Sequence, residues 1–433
     1  MKISVVTLFP ELYSSFLGTS LIKRAQEQGA LSCETISLFD VCAPKERADG
    51  PIFGHGPGLL LRPDVIERAI EQQEKRYGKA FRIFFSPQGT QLDQAVLRTL
   101  YSKIQECGGH CMVLPARYEG MDVRVEEEYA DIVISIGDFV LMGGDLPAMV
   151  LLEGLVRFVP GVVGKGESVE KDSFSGAFVD HPHYTAPVVW HGKEVPEVIR
   201  SGNHAAQDQW RREKAAETTV KHHFEWLRSH VETKEDIALA ARFIPPHYAA
   251  LMHTNVLVQQ NVEGNSSIMS IDIHDIARAA RTYGFKRTFV ATPLEDQQKI
   301  ATRLIDFWQT GEGVTYNPSR HEAVSEVSLV ANLDEIIEAI TSKEGASPIL
   351  IGTSARRVDS VENITYYDQE TVWKSGRPVL FIFGTANGLA PSILQRCDFI
   401  IGPVCGFSRF NHLSVRSAAA IVFDRWLGIK TKL

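Results

Sequence analysis

Arg157, followed by Asp172 and Asp180 in the segment just after it, offers a cation and a carboxylate whose types could do chemistry together. Arg157 ends a long apolar segment, and Asp172 follows within GVVGKGESVEKDSFSGAFVD (161–180), a stretch rich in glycine and charge that closes on Asp180. A carboxylate brought beside a fixed guanidinium could take a proton from a substrate while the cation stabilises the negative charge left behind. An aspartate in a loop is more often a turn or cap residue, so the pair needs support from elsewhere.

Support comes from three glycine-containing segments upstream: SPQG (86–89), ARYEG (116–120) and SIGDFVLMGG (135–144). Each follows an apolar run. In open α/β sheets ligands gather at the carboxyl ends of strands, and glycine lets backbone amides approach them closely. Any one segment is explained by a turn that needs positive φ; together the three could hold one flat, adenine-containing ligand. None matches the GxGxxG or Walker patterns.

Two further groups invite a functional reading. His181 and His183, two apart in HPHY, could offer one face to a metal ion. A third and fourth ligand at sensible spacing are missing, and Cys107 and Cys111 around GGH resemble a helix end, so the expectation is no metal site. Between 205 and 240, Arg211, Arg212, Lys214, Lys221 and Arg228 interleave with Trp210, Glu213, Glu217 and Glu225. A solvated helical face is the ordinary explanation, and contact with phosphates the functional one.

These residues need a scaffold, and the apolar pattern predicts one. ISVVTLF, RIFFS, CMVLPA and DIVISIG read as strands, alternating with a helical pattern up to Gln28 and helices over 63–77 and 92–106. That is an α/β domain with a mainly parallel sheet, spanning residues 1–163. Residues 164–180 read as a flexible interdomain linker and 181–246 as a small helical domain. A second α/β region occupies 250–433, with strand candidates NVLVQQNV (255–262), TFVATP, SPILIGTS, PVLFIFG and FIIGPV and helices over 273–283 and 295–308.

The two α/β regions share an internal repeat. Glu119-Gly120 and Asn387-Gly388 each precede a helix, then Asp131-Ile132-Val133 or Asp398-Phe399-Ile400 opens a strand, and a glycine-bearing loop leads into a long apolar helix.

Composition excludes several classes. With 433 residues, 44% hydrophobic and 23% charged, the chain is globular material with room for two or three cores. A net charge of -8 argues against nonspecific coating of nucleic acid, although a local basic patch can still hold RNA. Six scattered cysteines imply reduced thiols, no disulfides and a cytoplasmic protein. Pro10 and Glu11 interrupt the first apolar run before a signal-peptide core, and Glu153 and Arg157 interrupt the most apolar stretch, so no membrane span is expected.

GHGPG (54–58), SPQG, RYEG, SIGDFVLMGGDLPAM (135–149), RFVPGV (157–162), DSF (172–174), HPHYT (181–185) and SGNH (201–204) occur in an order that resembles the bacterial tRNA (guanine-N1) methyltransferases, the TrmD family of the SPOUT class. The likeness runs over residues 1–245. It implies a trefoil-knotted domain that binds S-adenosylmethionine in a bent shape through Ser86, Pro87, Gly89, Tyr118, Gly120, Ile136, Gly137, Leu141, Gly143 and Gly144. It further implies Asp172 as general base at guanine N1, Arg157 as the group that stabilises charge on O6, and Glu119 as a contact to the target base. The implied partner is tRNA with guanosine at position 37, with no DNA and no membrane involved. An obligate homodimer with shared sites would result, the helical domain gripping the anticodon stem-loop through Arg211, Arg212 and Lys214. Magnesium would assist without a dedicated cage. Pro115-Ala116, Phe139 and His55 depart from the family's usual residues near the cofactor loops.

Residues 250–433 carry DIHDIARAARTYG, TPLEDQQK, ATRLI, TSARR and GFSRFNHLSVRSA, which are similar to SPOUT-type RNA methyltransferases found alone or fused behind TrmD. The resemblance implies a second knotted α/β domain. Gly384, Gly388, Gly402, Gly406, Asn411 and Ser414 would line a second cofactor pocket, and Arg356 and Arg357 would meet a phosphate. The alternative is a noncatalytic module for RNA binding or dimerisation.

Overall fold

Lys2–Thr7 is buried from Ile3 onward and His110–Leu114 along its whole length, the near-continuous apolar reading of strands covered on both faces. The computed structural model describes residues 1–54, 56–163 and 172–430, and the chain divides into two units, Met1–Ser175 and Gly176–Leu433.

The first unit is built on β1 (Lys2–Thr7), β2 (Ser32–Ser37), β3 (Phe81–Gln91), β4 (His110–Leu114) and β5 (Ile132–Ser135). They form one parallel sheet in the order β2-β1-β4-β3-β5. Alternate side chains feed two cores, one holding Ile3, Val5, Ile83, Val113 and Leu151, the other Val6, Ile66, Phe84, Met112 and Leu114. Helix Pro63–Tyr77 starts on a proline and stops at Gly78, whose φ of 86° a side chain would resist. Helix Gln94–Glu106 is capped by Asp93, which accepts from the Val96 amide at 2.7 Å.

Two expectations change here. The helical pattern up to Gln28 forms two short helices, Leu12–Leu17 and Ser20–Glu27, separated at Gly18. SPQG does not follow a strand; it lies inside β3, which shifts register against β5 between Phe85 and Thr90. Of the expected linker, residues 164–171 lie outside the described residues.

In the second unit the single helical pattern of 205–240 resolves into His204–His222, Phe224–His230 and Lys234–Ala241. His223, with φ -136°, breaks the first, and Thr233 caps the third through the Asp236 amide. The breaks turn Val220, Phe224, Leu227, Val231 and Ala240 into one core with Phe381, Phe423 and Trp426. Buried Arg228 donates to the carbonyls of Asp424, Arg425 and Gly428 at the C-terminal end of helix Val415–Leu427. The three helices are therefore built into the same unit as the second sheet.

That sheet has seven parallel strands: β6 (His247–Met252), β7 (Arg287–Ala291), β8 (Val327–Val330), β9 (Ile349–Thr353), β10 (Asn363–Ile364), β11 (Val379–Gly384) and β12 (Phe399–Ile401). Their order is β8-β7-β6-β11-β9-β12-β10. The central strand is HYAALM, not NVLVQQNV, which supplies only Val256–Leu257 paired antiparallel with Glu263–Gly264. HYAALM has no β-branched residue and so a weak strand signal, but its alanines allow close packing on both faces. Among the described residues no helix is long and apolar enough to cross a membrane.

Candidate active site

The three glycine segments of the first unit converge. Thr90 and Gln91 pair with Ile134 and Ser135, and the Leu92 amide donates to the Ser135 carbonyl at 2.8 Å. At its other end the 135–144 segment meets ARYEG: the Gly144 amide donates to the Ala116 carbonyl at 2.7 Å, and Arg117 bridges to Gly143.

The closeness explains the glycines. A Cβ on Gly89 would lie 2.7 Å from the backbone of Val133 and Ile134, and one on Gly144 would lie 2.9 Å from the Ala116 nitrogen. These two positions are glycine because protein backbone, rather than a ligand, occupies the space a side chain would need. Around the junction Tyr118 and Leu141 are exposed and Ile136 and Gly137 half-buried, so apolar side chains border the converging main chain.

Beneath the junction lies a residue that motif reading passed over. Asp145, 1% exposed, opens the apolar helix Asp145–Val156. Its Oδ1 accepts from Thr7 Oγ1 at 2.7 Å and Tyr13 OH at 3.0 Å, and its Oδ2 from Arg117 Nε at 2.6 Å. A buried carboxylate is tolerable only when its lone pairs are met in this way. Burial, then the Asp145 charge, pushes the Tyr13 phenol well above its ordinary range. The network ties ARYEG to the helix start, and an acidic residue in the first turn of a predicted apolar helix was the available signal.

Arg157 and Asp172 are brought together: Arg157 Nη2 donates to the Asp172 carboxylate, both side chains remaining partly open to solvent. The Asp172 segment is held by its own turn, Ser175 N to Asp172 O at 3.1 Å, and by Arg98 Nη2 donating to Ser175 Oγ at 3.0 Å. Glu119 packs against Gly58, where an added Cβ would come within 2.4 Å of Glu119 Cγ. His55 of GHGPG lies outside the described residues. In the helical segment Arg211 pairs with Asp208, Arg212 with Asp236 and Lys214 with Glu217 at 3.0, 2.8 and 2.7 Å. Exposed pairs of this kind are weak, so an incoming phosphate can exchange for a carboxylate.

The second unit holds a cavity of about 1180 Å³ lined by Gly384, Gly388, Gly402, Asn411 and Ser414, and also by Arg356 and Arg357. Gly406 is not part of the lining. Its wall includes a polar chain absent from the sequence reading. Thr385 Oγ1 donates to the Met252 carbonyl at 2.9 Å, which leaves Ser266 Oγ to donate to Thr385 at 2.6 Å and His253 Nδ1 to donate to Ser266 at 3.0 Å. That sequence of donors sets the tautomer: His253 Nε2 carries a lone pair, is buried, and has no partner among the described residues. Burial lowers the His253 pKa to about 4, with the Asp272 carboxylate opposing. Asp272 is itself buried and paired with Arg416 at 2.9 Å.

The family matches also divide the chain in two, but between residues 229 and 246 rather than at Ser175. Residues 1–229 match the family described as tRNA (Guanine-1)-methyltransferase TrmD, and residues 246–428 the family described as SAM-dependent RNA methyltransferase. A protein of Oleidesulfovibrio alaskensis named tRNA (guanine-N(1)-)-methyltransferase is 36% identical over 434 residues, covering 99% of each chain. One of the same name from Dehalococcoides mccartyi is 40% identical over 238 residues, covering 54% of this chain and 94% of its own. Among solved structures, the tRNA (m1G37) methyltransferase from Aquifex aeolicus is 31% identical, with a TM-score of 0.41, covering 48% of this chain and 87% of that one. A family match over more than half of the sequence, and a relative similar along its whole length, establish that this chain belongs to the tRNA (guanine-1)-methyltransferase TrmD family.

Proposed function

We propose that the first unit transfers a methyl group from S-adenosylmethionine to N1 of the guanosine at position 37 of tRNA. The observation that carries this reading is the Arg157–Asp172 pair. Side by side, a guanidinium donor and a carboxylate acceptor complement the adjacent O6 and N1–H of a guanine edge. N1 of neutral guanine carries a proton and becomes a good nucleophile only when that proton leaves. Asp172 accepts it, Arg157 donates to the O6 on which charge develops, and Glu119 holds the base.

The cofactor cradle assigned to Ser86, Pro87, Gly89, Tyr118, Gly120, Ile136, Gly137, Leu141, Gly143 and Gly144 fits an adenosine. Main chain converges there, Gly120 and Gly137 have φ of 121° and 144°, and apolar side chains border it. Bound S-adenosylmethionine supplies an electrophilic methyl group on a sulfonium. The main-chain packing at Gly89, Ala116 and Gly144 supports the trefoil-knotted reading of this region. A homodimer is supported by Leu146 and Val150, one turn apart and exposed on helix Asp145–Val156, with Val140 and Met142 87% and 90% exposed beside them. Arg211, Arg212 and Lys214 are assigned to the anticodon stem-loop.

For the second unit we propose a second S-adenosylmethionine-dependent RNA methyltransferase whose cofactor enters the cavity at Gly384, Gly388 and Gly402. The cavity volume lies just above the usual range of small-molecule sites, enough for a cofactor and part of a nucleotide. The test is methyl transfer to tRNA transcripts carrying guanosine or adenosine at position 37, mapped by mass spectrometry. The expected product is 1-methylguanosine at position 37 of the first transcript alone. Any mark elsewhere that is lost with Gly384→Ala belongs to the second unit; no mark at position 37 overturns the main reading.

A further inference from the structure

We infer that Asp180, His181 and His183 form a binding site for a borderline divalent transition-metal ion of the zinc, cobalt or nickel kind. The inference is independent of the methyl-transfer reading and of the cavity in the second unit. It reverses the expectation from spacing alone, in which two histidines lacked a third ligand and Asp180 was a carboxylate at the end of a linker.

The third ligand is the adjacent residue. Asp180 Oδ1 lies 2.6 Å from His181 Nδ1, and Asp180 Oδ2 lies 2.9 Å from His183 Nε2. One donor atom from each residue falls within 4.8 Å of the others. Bonds of about 2.0–2.1 Å to a tetrahedral ion put its ligand atoms about 3.3 Å apart, so each carboxylate–imidazole distance opens by less than about 1 Å while the donor atoms stay within the 4.8 Å they already span. The two imidazoles lie with centroids 4.4 Å apart and are already turned onto the same carboxylate.

The segment is held in place before any ion arrives. Pro182 restricts φ between the two histidines. Immediately upstream, the buried Val179 amide donates to Thr219 Oγ1 at 2.9 Å, anchoring the segment on helix His204–His222. Ligation costs little rearrangement of the rings. Without an ion, each facing nitrogen donates its hydrogen to Asp180; with one, each neutral ring carries that hydrogen on its outer nitrogen and turns a lone pair inward. The His183 side chain is 69% exposed, which leaves a fourth position open to water or a ligand group.

Donor chemistry selects the ion. Two imidazole nitrogens and one carboxylate suit zinc, cobalt or nickel, whereas magnesium prefers an octahedron of oxygens and holds on to its water. A bound ion would cross-link residues 180–183 at the start of the second unit.

The experiment is a titration of tag-free, chelator-stripped full-length protein with Co²⁺. One equivalent should develop the visible d–d bands of four-coordinate cobalt without thiolate charge-transfer absorption, and Zn²⁺, but not millimolar Mg²⁺, should remove them. His181→Asn and His183→Asn should each weaken binding at least about tenfold, the scale on which even an outer-shell partner acts. A ¹¹³Cd NMR shift in the nitrogen and oxygen range on unmodified protein tests the same ligands without relying on a variant's folding. Absent bands, thiolate charge transfer, a sulfur-range cadmium shift, or affinity unchanged in both folded variants would each overturn the site.

Discussion

The two sheets of this protein are laid out alike and finished differently. Strands β2-β1-β4-β3-β5 of the first unit and β7-β6-β11-β9-β12 of the second occur in the same chain order and the same spatial order. Gly120 and Gly388 have φ of 121° and 102°, each two residues after a non-glycine residue at positive φ, Tyr118 or Ala386. Each closes the same turn, Gly120 N to Arg117 O at 3.0 Å and Gly388 N to Thr385 O at 2.9 Å. Asp131 and Asp398 each clamp the neighbouring strand, accepting on Oδ2 from the Arg82 or Leu350 amide at 2.8 Å.

Beside that shared frame the first unit buries a carboxylate whose oxygens meet three donors, and the second buries an imidazole whose Nε2 has no partner among the described residues, beside a large cavity. The backbone plan sets where a ligand can lie, and the side chains added to it decide what chemistry happens there.

The sharpest way to separate the units is through the base. Asp172→Ala should lower methylation at position 37 by about 10²–10⁴-fold in single-turnover assays, the range for loss of a general base, while tRNA and cofactor affinities stay near wild type. His253→Ala should leave that rate unchanged. Equal loss of binding and turnover in Asp172→Ala would assign the residue to structure instead.

Matched glycine substitutions address the cofactor. A Cβ at Gly89 or Gly384 would meet main chain at 2.7 or 2.4 Å. Calorimetric titration of the wild type with S-adenosylmethionine should find two sites per chain, and either alanine variant only one. A single site in the wild type, lost with Gly89→Ala, would make the second unit a noncatalytic module.

Acidification should weaken the second unit more than the first. His247 accepts from Trp426 Nε1 at 2.9 Å and faces the Pro245 carbonyl, and burial lowers its pKa, like that of His253, from 6.5 to about 4. The folded state therefore binds fewer protons than the unfolded one: this stability is complete above pH 6.5 and drains away as the pH falls toward 4. For His247 the loss is on the order of 3 kcal/mol. All 6 tryptophans lie in the second unit, so fluorescence-detected urea unfolding at pH 7 and pH 4.5 reads this unit selectively. An unchanged midpoint would contradict the neutral, buried assignment.

The smallest effect tests the repeat itself. Asp131→Ala and Asp398→Ala each remove one exposed strand clamp and should cost about 1 kcal/mol apiece. Strongly unequal losses in denaturation would show that the likeness of the two clamps is only geometric.

Much of this was present in local pattern. Apolar runs marked eight of the twelve strands in the two parallel sheets, because a strand buried on both faces leaves an uninterrupted apolar word, and the repeat announced the shared plan. The central strand HYAALM escaped because alanine gives no strand signal, and the break at His223 escaped because the helical period continues through it. Asp145 could not be assigned partners, since Thr7 and Tyr13 stand more than 130 residues away in the chain.

By itself, then, the sequence determined the two α/β regions, the helices between them, and the residue types for proton transfer beside a cation. Those rest on local period and on motif order, which chain neighbours carry. Only the tertiary structure decided that Gly89 and Gly144 make room for main chain, that Arg157 reaches Asp172, that Asp180 stands between two histidines, and that His253 Nε2 finds no partner among the described residues. Each depends on groups converging in space under packing and hydrogen-bond geometry, which spacing along the chain does not encode.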